Sequence, residues 1–121
     1  MNGHITSLAQ ATQASTNVRC VLCTTQHSQL VLMHLKPKEE IGMELHTLDQ
    51  FIRIEHGSAV AILDGVEHEL RGGSEVLIPA GTKHNIVNAS TTEPLKLYTV
   101  YSPPEHDVPS RGSRYGRRSY S

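Results

Sequence analysis

The sequence predicts an all-β protein, an antiparallel barrel or sandwich, on three observations. From Val18 to Tyr101, short runs rich in Val, Ile and Leu are broken by Gly, Pro, Asp and Ser at intervals of about eight to twelve residues. No stretch keeps a helical apolar period, and nothing repeats at solenoid spacing. Asp64-Gly65 lies between two alternating runs, and this pair accepts the positive φ angles of a two-residue type I′ hairpin turn.

Strands are expected, in order, over Val18 to Thr24, Gln29 to Lys36, Ile41 to His46, Gln50 to Glu55, Ser58 to Leu63, Val66 to Leu70, Glu75 to Ile78, His84 to Asn88 and Leu95 to Tyr101. Nine short strands suit a barrel or sandwich. Parity assigns faces, because residues two apart on a strand share one. Glu44 and His46 therefore point one way, and Met43 and Leu45 the other. In the next strand Ile52 and Ile54 face the interior, and Gln50 shares their parity; Phe51, Arg53 and Glu55 face outward.

The ends differ from this middle. Residues 1–17 are rich in Ser, Thr, Gln and Ala, and read as a flexible arm or a strand lent to a partner subunit. Residues 18–104 form the barrel domain. Residues 105–121 close with Ser110 to Ser121, which holds four Arg, no acid and no aliphatic side chain, and reads as a disordered Arg/Tyr-rich tail. Such a tail can meet RNA or another polyanion through charge and stacking, although a solvated tail is the plainer expectation.

With 11 Lys and Arg against 12 Asp and Glu, the chain has no large field of one sign to draw a nucleic acid or a membrane. Met1 to Thr16 has no apolar stretch of signal-peptide or membrane-span length, so a cytoplasmic protein is expected. Cys20 and Cys23 form a C-x-x-C inside a strand, where their side chains are expected on opposite faces as structural thiols.

The most specific pattern is Gly73-x5-Pro79-x-Gly81-x2-His84-x3-Asn88. At average residue usage it arises by chance on the order of once per several million starting positions. It resembles the second sequence motif of the cupin family. A partial first motif lies upstream: Glu44-Leu45-His46 stands where the family has His-x-His, Gln50 where it has the acidic ligand, and Gly57 where it has the closing Gly. The opening Gly is missing at its usual distance, with Gly42 close by. The resemblance covers roughly Gln29 to Pro104. It implies a cupin double-stranded β-helix, an antiparallel jelly-roll barrel, with a metal held inside.

On that resemblance the metal ligands are Glu44, His46 and His84, with Gln50 a neutral fourth donor or a partner for a metal-bound water or substrate. A one-residue shift in the turn would bring Asp49 inward instead. Two His and one carboxylate suit one divalent transition metal per chain, Fe(II) or Mn(II) by preference and Ni(II) or Zn(II) as further candidates. A barrel that has lost its metal, with Glu44 in a hydrogen-bonded pocket, is the alternative.

Tyr101 is expected to line the cavity as a substrate hydrogen-bond donor, or to pack in the core. His68 shares a face with Val66 and Leu70 and reads as a core or interface side chain, His56 as exposed, and His34 has no assigned role. With no Trp and one Phe, the barrel lacks platforms for stacking sugars or bases, so the ligand is expected to be small and polar. The function expected is that of a metal-dependent enzyme of dioxygenase, isomerase or lyase type, acting on a small oxygen-bearing metabolite. The alternative is a binding or sensing module without catalysis. A homodimer is expected.

Overall fold

A computed structural model describes residues 4–104. The tail expected to be disordered, residues 105–121, lies outside them. The elements are α1 (Leu8–Ala14), β1 (Arg19–Thr24), β2 (Gln29–Leu35), β3 (Asp49–His56), β4 (Ser58–Leu63), β5 (Val66–Arg71), β6 (Glu75–Ile78), β7 (His84–Asn88) and β8 (Leu95–Ser102). A five-stranded sheet of order β1-β2-β8-β3-β6 faces a three-stranded sheet of order β5-β4-β7. Every pairing is antiparallel, as the alternating runs require.

Parity dictates the interior. Alternation buries Leu95, Leu97, Thr99 and Tyr101 along β8, and Gln50, Ile52 and Ile54 along β3. With Val31, Met33 and Leu35 from β2 and Ala59, Ala61, Ile78 and Ile86 from the remaining strands, these aliphatic side chains make one core. The register then sorts the interior into layers. Gln29, Tyr101, Gln50 and Ile78 lie in a row across β2, β8, β3 and β6, so one end of the barrel is polar. The next inward row, Val31, Thr99, Ile52 and Val76, and the one beyond it, are almost wholly apolar.

Two turns demand unusual backbone. Asp64 and Gly65 both have positive φ, 48° and 84°, as the I′ turn between β4 and β5 requires. Gly57 has φ of 98°, and a Cβ there would lie 2.5 Å from the Pro94 carbonyl oxygen. Only glycine allows that approach.

Four expectations are corrected. Among the described residues of the N-terminal segment, Leu8–Ala14 is neither loose nor a strand but the helix α1, which packs on β3 and β8 with Thr12 buried and Lys96 Nζ bound to the Gln13 carbonyl. Ile41 to His46 is not a regular strand. The chain here makes two isolated bridges to β7, Glu40 with Val87 and Glu44 with His84, four residues apart on one side and three on the other. The extra residue is accommodated at Gly42, whose φ is 108°, while its N–H is taken by the Asn85 side chain at 2.8 Å.

A second bulge, after Val21, pairs Cys20 with Leu32 and Cys23 with Leu30. Leu30 and Leu32 share a face, so the two cysteines do as well, contrary to simple alternation. Finally, the core placement expected for His68 is corrected: it is exposed in the chain, because the side of β5 it occupies is not covered by the barrel.

Candidate metal centre

Glu44, His46 and His84 meet at the polar end of the barrel. One ligand atom from each lies within 4.8 Å of the others. Backbone pairing sets this up: Glu44 N–H donates to the His84 carbonyl at 2.7 Å and His84 N–H to the Glu44 carbonyl at 2.9 Å, which puts both side chains on one face. His46 follows two residues later on that face, and its carbonyl accepts from Gly81 N–H at 2.9 Å, tying it to the turn that launches β7. The exposed Met43 and Leu45 point the other way.

The tautomer of His84 follows from its neighbours. Its Nδ1 lies 2.8 Å from the Thr82 carbonyl oxygen, which can only accept, so Nδ1 carries the proton. In the neutral ring Nε2 is then a bare lone pair, and it is buried with no hydrogen-bond partner. It faces Glu44 Oε1 at 3.7 Å, beyond hydrogen-bond range. Two acceptors face each other in a buried site, where an unpaired charge is costly. A cation between them resolves this, and the donor set of two imidazoles and one carboxylate fits a first-row divalent metal.

Glu44 also contacts His46, Oε1 to Nε2 at 3.2 Å. Burial pushes the Glu44 carboxyl up, but the His46 hydrogen bond and the nearness of both imidazoles together outweigh it and hold the pKa below the usual carboxylate value.

Gln50 faces inward and is buried, and its Nε2 donates to Thr99 Oγ1 at 3.0 Å while its Oε1 has no hydrogen-bond partner. It sits beside Tyr101 in the β3–β8 ladder. Tyr101, 4% exposed, presents its ring edge-on to His46 with centroids 5.9 Å apart. Asp49, the rival of Gln50, is exposed, and its Oδ1 accepts from Ala80 N–H at 2.9 Å. It pins the Pro79 turn instead of entering the barrel.

Asn88, the last residue of the motif, is not at this end. It is fully buried, with Nδ2 against the carbonyls of Leu35, Lys36 and Glu93 and Oδ1 accepting from Ser90 N–H. His56, exposed as expected, lies 3.5 Å from Glu93. Sequence reading missed Thr99, Thr82 and Gln29. For Thr99 the signal was present, a lone hydroxyl at inward parity between Leu97 and Tyr101; for the Thr82 carbonyl there was none.

Residues 31–101 match the cupin domain family. The chain is 46% identical over 107 residues to the uncharacterized protein L612 of Acanthamoeba polyphaga mimivirus, covering 85% of this chain and 67% of that one. It is 38% identical over 109 residues to the uncharacterized protein YrkC of Bacillus subtilis, covering 84% of this chain and only 58% of that one. Among solved structures, BH2720 of Bacillus halodurans superposes with a TM-score of 0.82 at 35% identity, covering 85% and 83% of the two chains. KdgF from Halomonas sp. superposes at 0.68 with 20% identity over 74% and 80%, a likeness of fold alone. With its jelly-roll register and a family match over most of its barrel, this chain belongs to the cupin family.

Proposed function

We propose that the protein is a metal-dependent enzyme acting on a small, polar, oxygen-bearing metabolite, with one divalent transition metal per chain. The observation that carries this reading is the buried pair of acceptors, His84 Nε2 and Glu44 Oε1, beside a third donor on His46. Fe(II) or Mn(II) suits the set first, and Ni(II) or Zn(II) second. A bound ion would supply Lewis acidity, and iron also redox chemistry of the dioxygenase kind; isomerase and lyase reactions need only the former. In this reading Glu44 gives the centre its one negative charge, and the Thr82 carbonyl keeps His84 Nε2 free of a proton. Gln50 and Tyr101 line the rim where a substrate is oriented.

The test is elemental analysis of protein purified without chelator. About one first-row metal per chain is expected, and His84→Ala loses it. Full occupancy in that variant would refute the assignment.

A second reading, a metal-free module that binds or senses a small ligand, is favoured by the 3.2 Å contact of His46 with Glu44, which satisfies the carboxylate without an ion. Metal-free protein stabilised by a small carboxylic acid or sugar would support it. In either reading the chain works in the cytoplasm as a homodimer, which light scattering of the purified protein checks.

A further inference from the structure

Gln50 stands out because its two ends are treated unequally. The amide Nε2 is bonded and buried, whereas Oε1 is buried and has no hydrogen-bond partner. The cause lies on the neighbouring strand. Thr99 Oγ1, on a fully buried residue, carries one proton, and that proton goes to the Phe51 carbonyl oxygen at 2.9 Å, an atom that can only accept. The lone pairs of Oγ1 are then left to receive Gln50 Nε2 at 3.0 Å. With the amide turned over, two oxygens would compete for the one hydroxyl proton, and a buried bond would be lost. One orientation keeps both bonds, and it leaves the oxygen as the end without a hydrogen-bond partner.

The arrangement recurs across Tyr101. Gln29, its partner on the other side in the ladder, places Nε2 at 3.1 Å from Thr24 Oγ1 and leaves a buried Oε1 with no hydrogen-bond partner. The two residues paired with Tyr101 on either side thus each hold a buried amide oxygen without a hydrogen-bond partner.

We infer that Thr99 is a positioning residue that holds Gln50 as a neutral, acceptor-only oxygen at the rim of the metal centre, so that what meets Gln50 is a donor. The group it takes is an O–H held at the metal, that of a bound water or of a small hydroxylated ligand. An anionic oxygen is refused there. A ligand ammonium is disfavoured too, because a divalent ion with one carboxylate leaves the centre positive. The ligand class is therefore hydroxylated and neutral or anionic, with its hydroxyl towards Gln50. The part of this inference that concerns the ligand rests on the metal reading, whereas the amide orientation does not.

The experiment uses the full chain as wild type, Thr99→Ser, which keeps the hydroxyl, and Thr99→Val, which removes it. In metal-free protein the Gln50 side-chain NH2 is followed by proton–nitrogen NMR, and Mn(II) alone is then titrated. Slowly exchanging, dispersed NH2 signals are expected in wild type and Thr99→Ser, with exchange at least tenfold faster in Thr99→Val. Mn(II) affinity is expected to be unchanged in the serine variant and about tenfold weaker in the valine variant. Fast exchange in wild type, or unchanged exchange or Mn(II) affinity in Thr99→Val, overturns the inference. If Thr99→Val fails to fold, wild type and Thr99→Ser still decide it through the NH2 signal. Protected Gln50 in a wild type that binds no Mn(II) upholds the positioning role and refutes the metal reading instead.

Discussion

Asn88→Ala separates the architectural half of the Gly73 to Asn88 motif from its chemical half. The Asn88 carboxamide serves three carbonyls, of Leu35, Lys36 and Glu93, at 3.2, 3.1 and 2.9 Å, and accepts from Ser90 N–H at 2.9 Å. Two Nδ2 protons make two full bonds among those carbonyls, so three bonds are lost in all. A buried group left unpaired costs about 1–3 kcal/mol, and partial exposure of the Lys36, Glu93 and Ser90 ends lets water recover some of it. The expected loss is about 3–5 kcal/mol, a large share of the roughly 5–15 kcal/mol that holds a domain folded. The melting temperature should fall by roughly 10–25 °C. Metal content per folded chain should not change, because Asn88 and His84 lie at opposite ends of β7, about 13 Å apart at the usual strand rise. Urea and thermal melts, with elemental analysis of the folded fraction, test both halves. Stability within about 1 kcal/mol of wild type, or a stable fold that has lost its metal, would refute the reasoning.

Two further outcomes follow from the site. Asp49→Ala removes the acceptor for Ala80 N–H and should cost only about 0.5–1.5 kcal/mol, with metal content retained; metal loss measured by elemental analysis would restore Asp49 as a ligand. In metal-free protein the Glu44 carboxyl has its pKa lowered on folding, so its charge contributes stability above the unfolded value of 4.5 and loses it as pH falls below. The stability gap between wild type and Glu44→Gln should therefore be level above about pH 5.5, where the unfolded carboxyl is ionised, and shrink through the acid range. A gap constant down to pH 3 in urea melts would show that the charge is not what His46 and His84 hold.

Much of this was legible in the sequence, because alternation is a local property. Ile52 and Ile54 fixed the inward parity of Gln50, and Leu97 and Thr99 that of Tyr101, so the register needed only to align rows already sorted by face. What was not legible depended on an uneven count of residues between neighbouring strands. The bulges at Gly42 and after Val21 each break alternation for a reason that sits in the partner strand, and they changed an expected strand into two bridges and brought two cysteines onto one face. Helix α1 was missed because seven residues with few large apolar side chains give a weak period; the barrel surface under β3 and β8 supplies what the segment lacks. The protonation of His84 rests on a main-chain oxygen at Thr82, which no side-chain pattern announces.

On the proposed metal reading, the extra residue at Gly42 also decides which donor the barrel turns towards the ion. Counted from the Glu40–Val87 bridge, a strand without the bulge would set Met43 against His84, and Glu44 would turn to solvent. The ion would then meet a thioether, a soft and uncharged donor suited to Cu(I), in place of a hard carboxylate that favours Mn(II) or Fe(II). A single unpaired position in the backbone thus acts as a selector between soft and hard coordination, upstream of any change in the ligand side chains themselves.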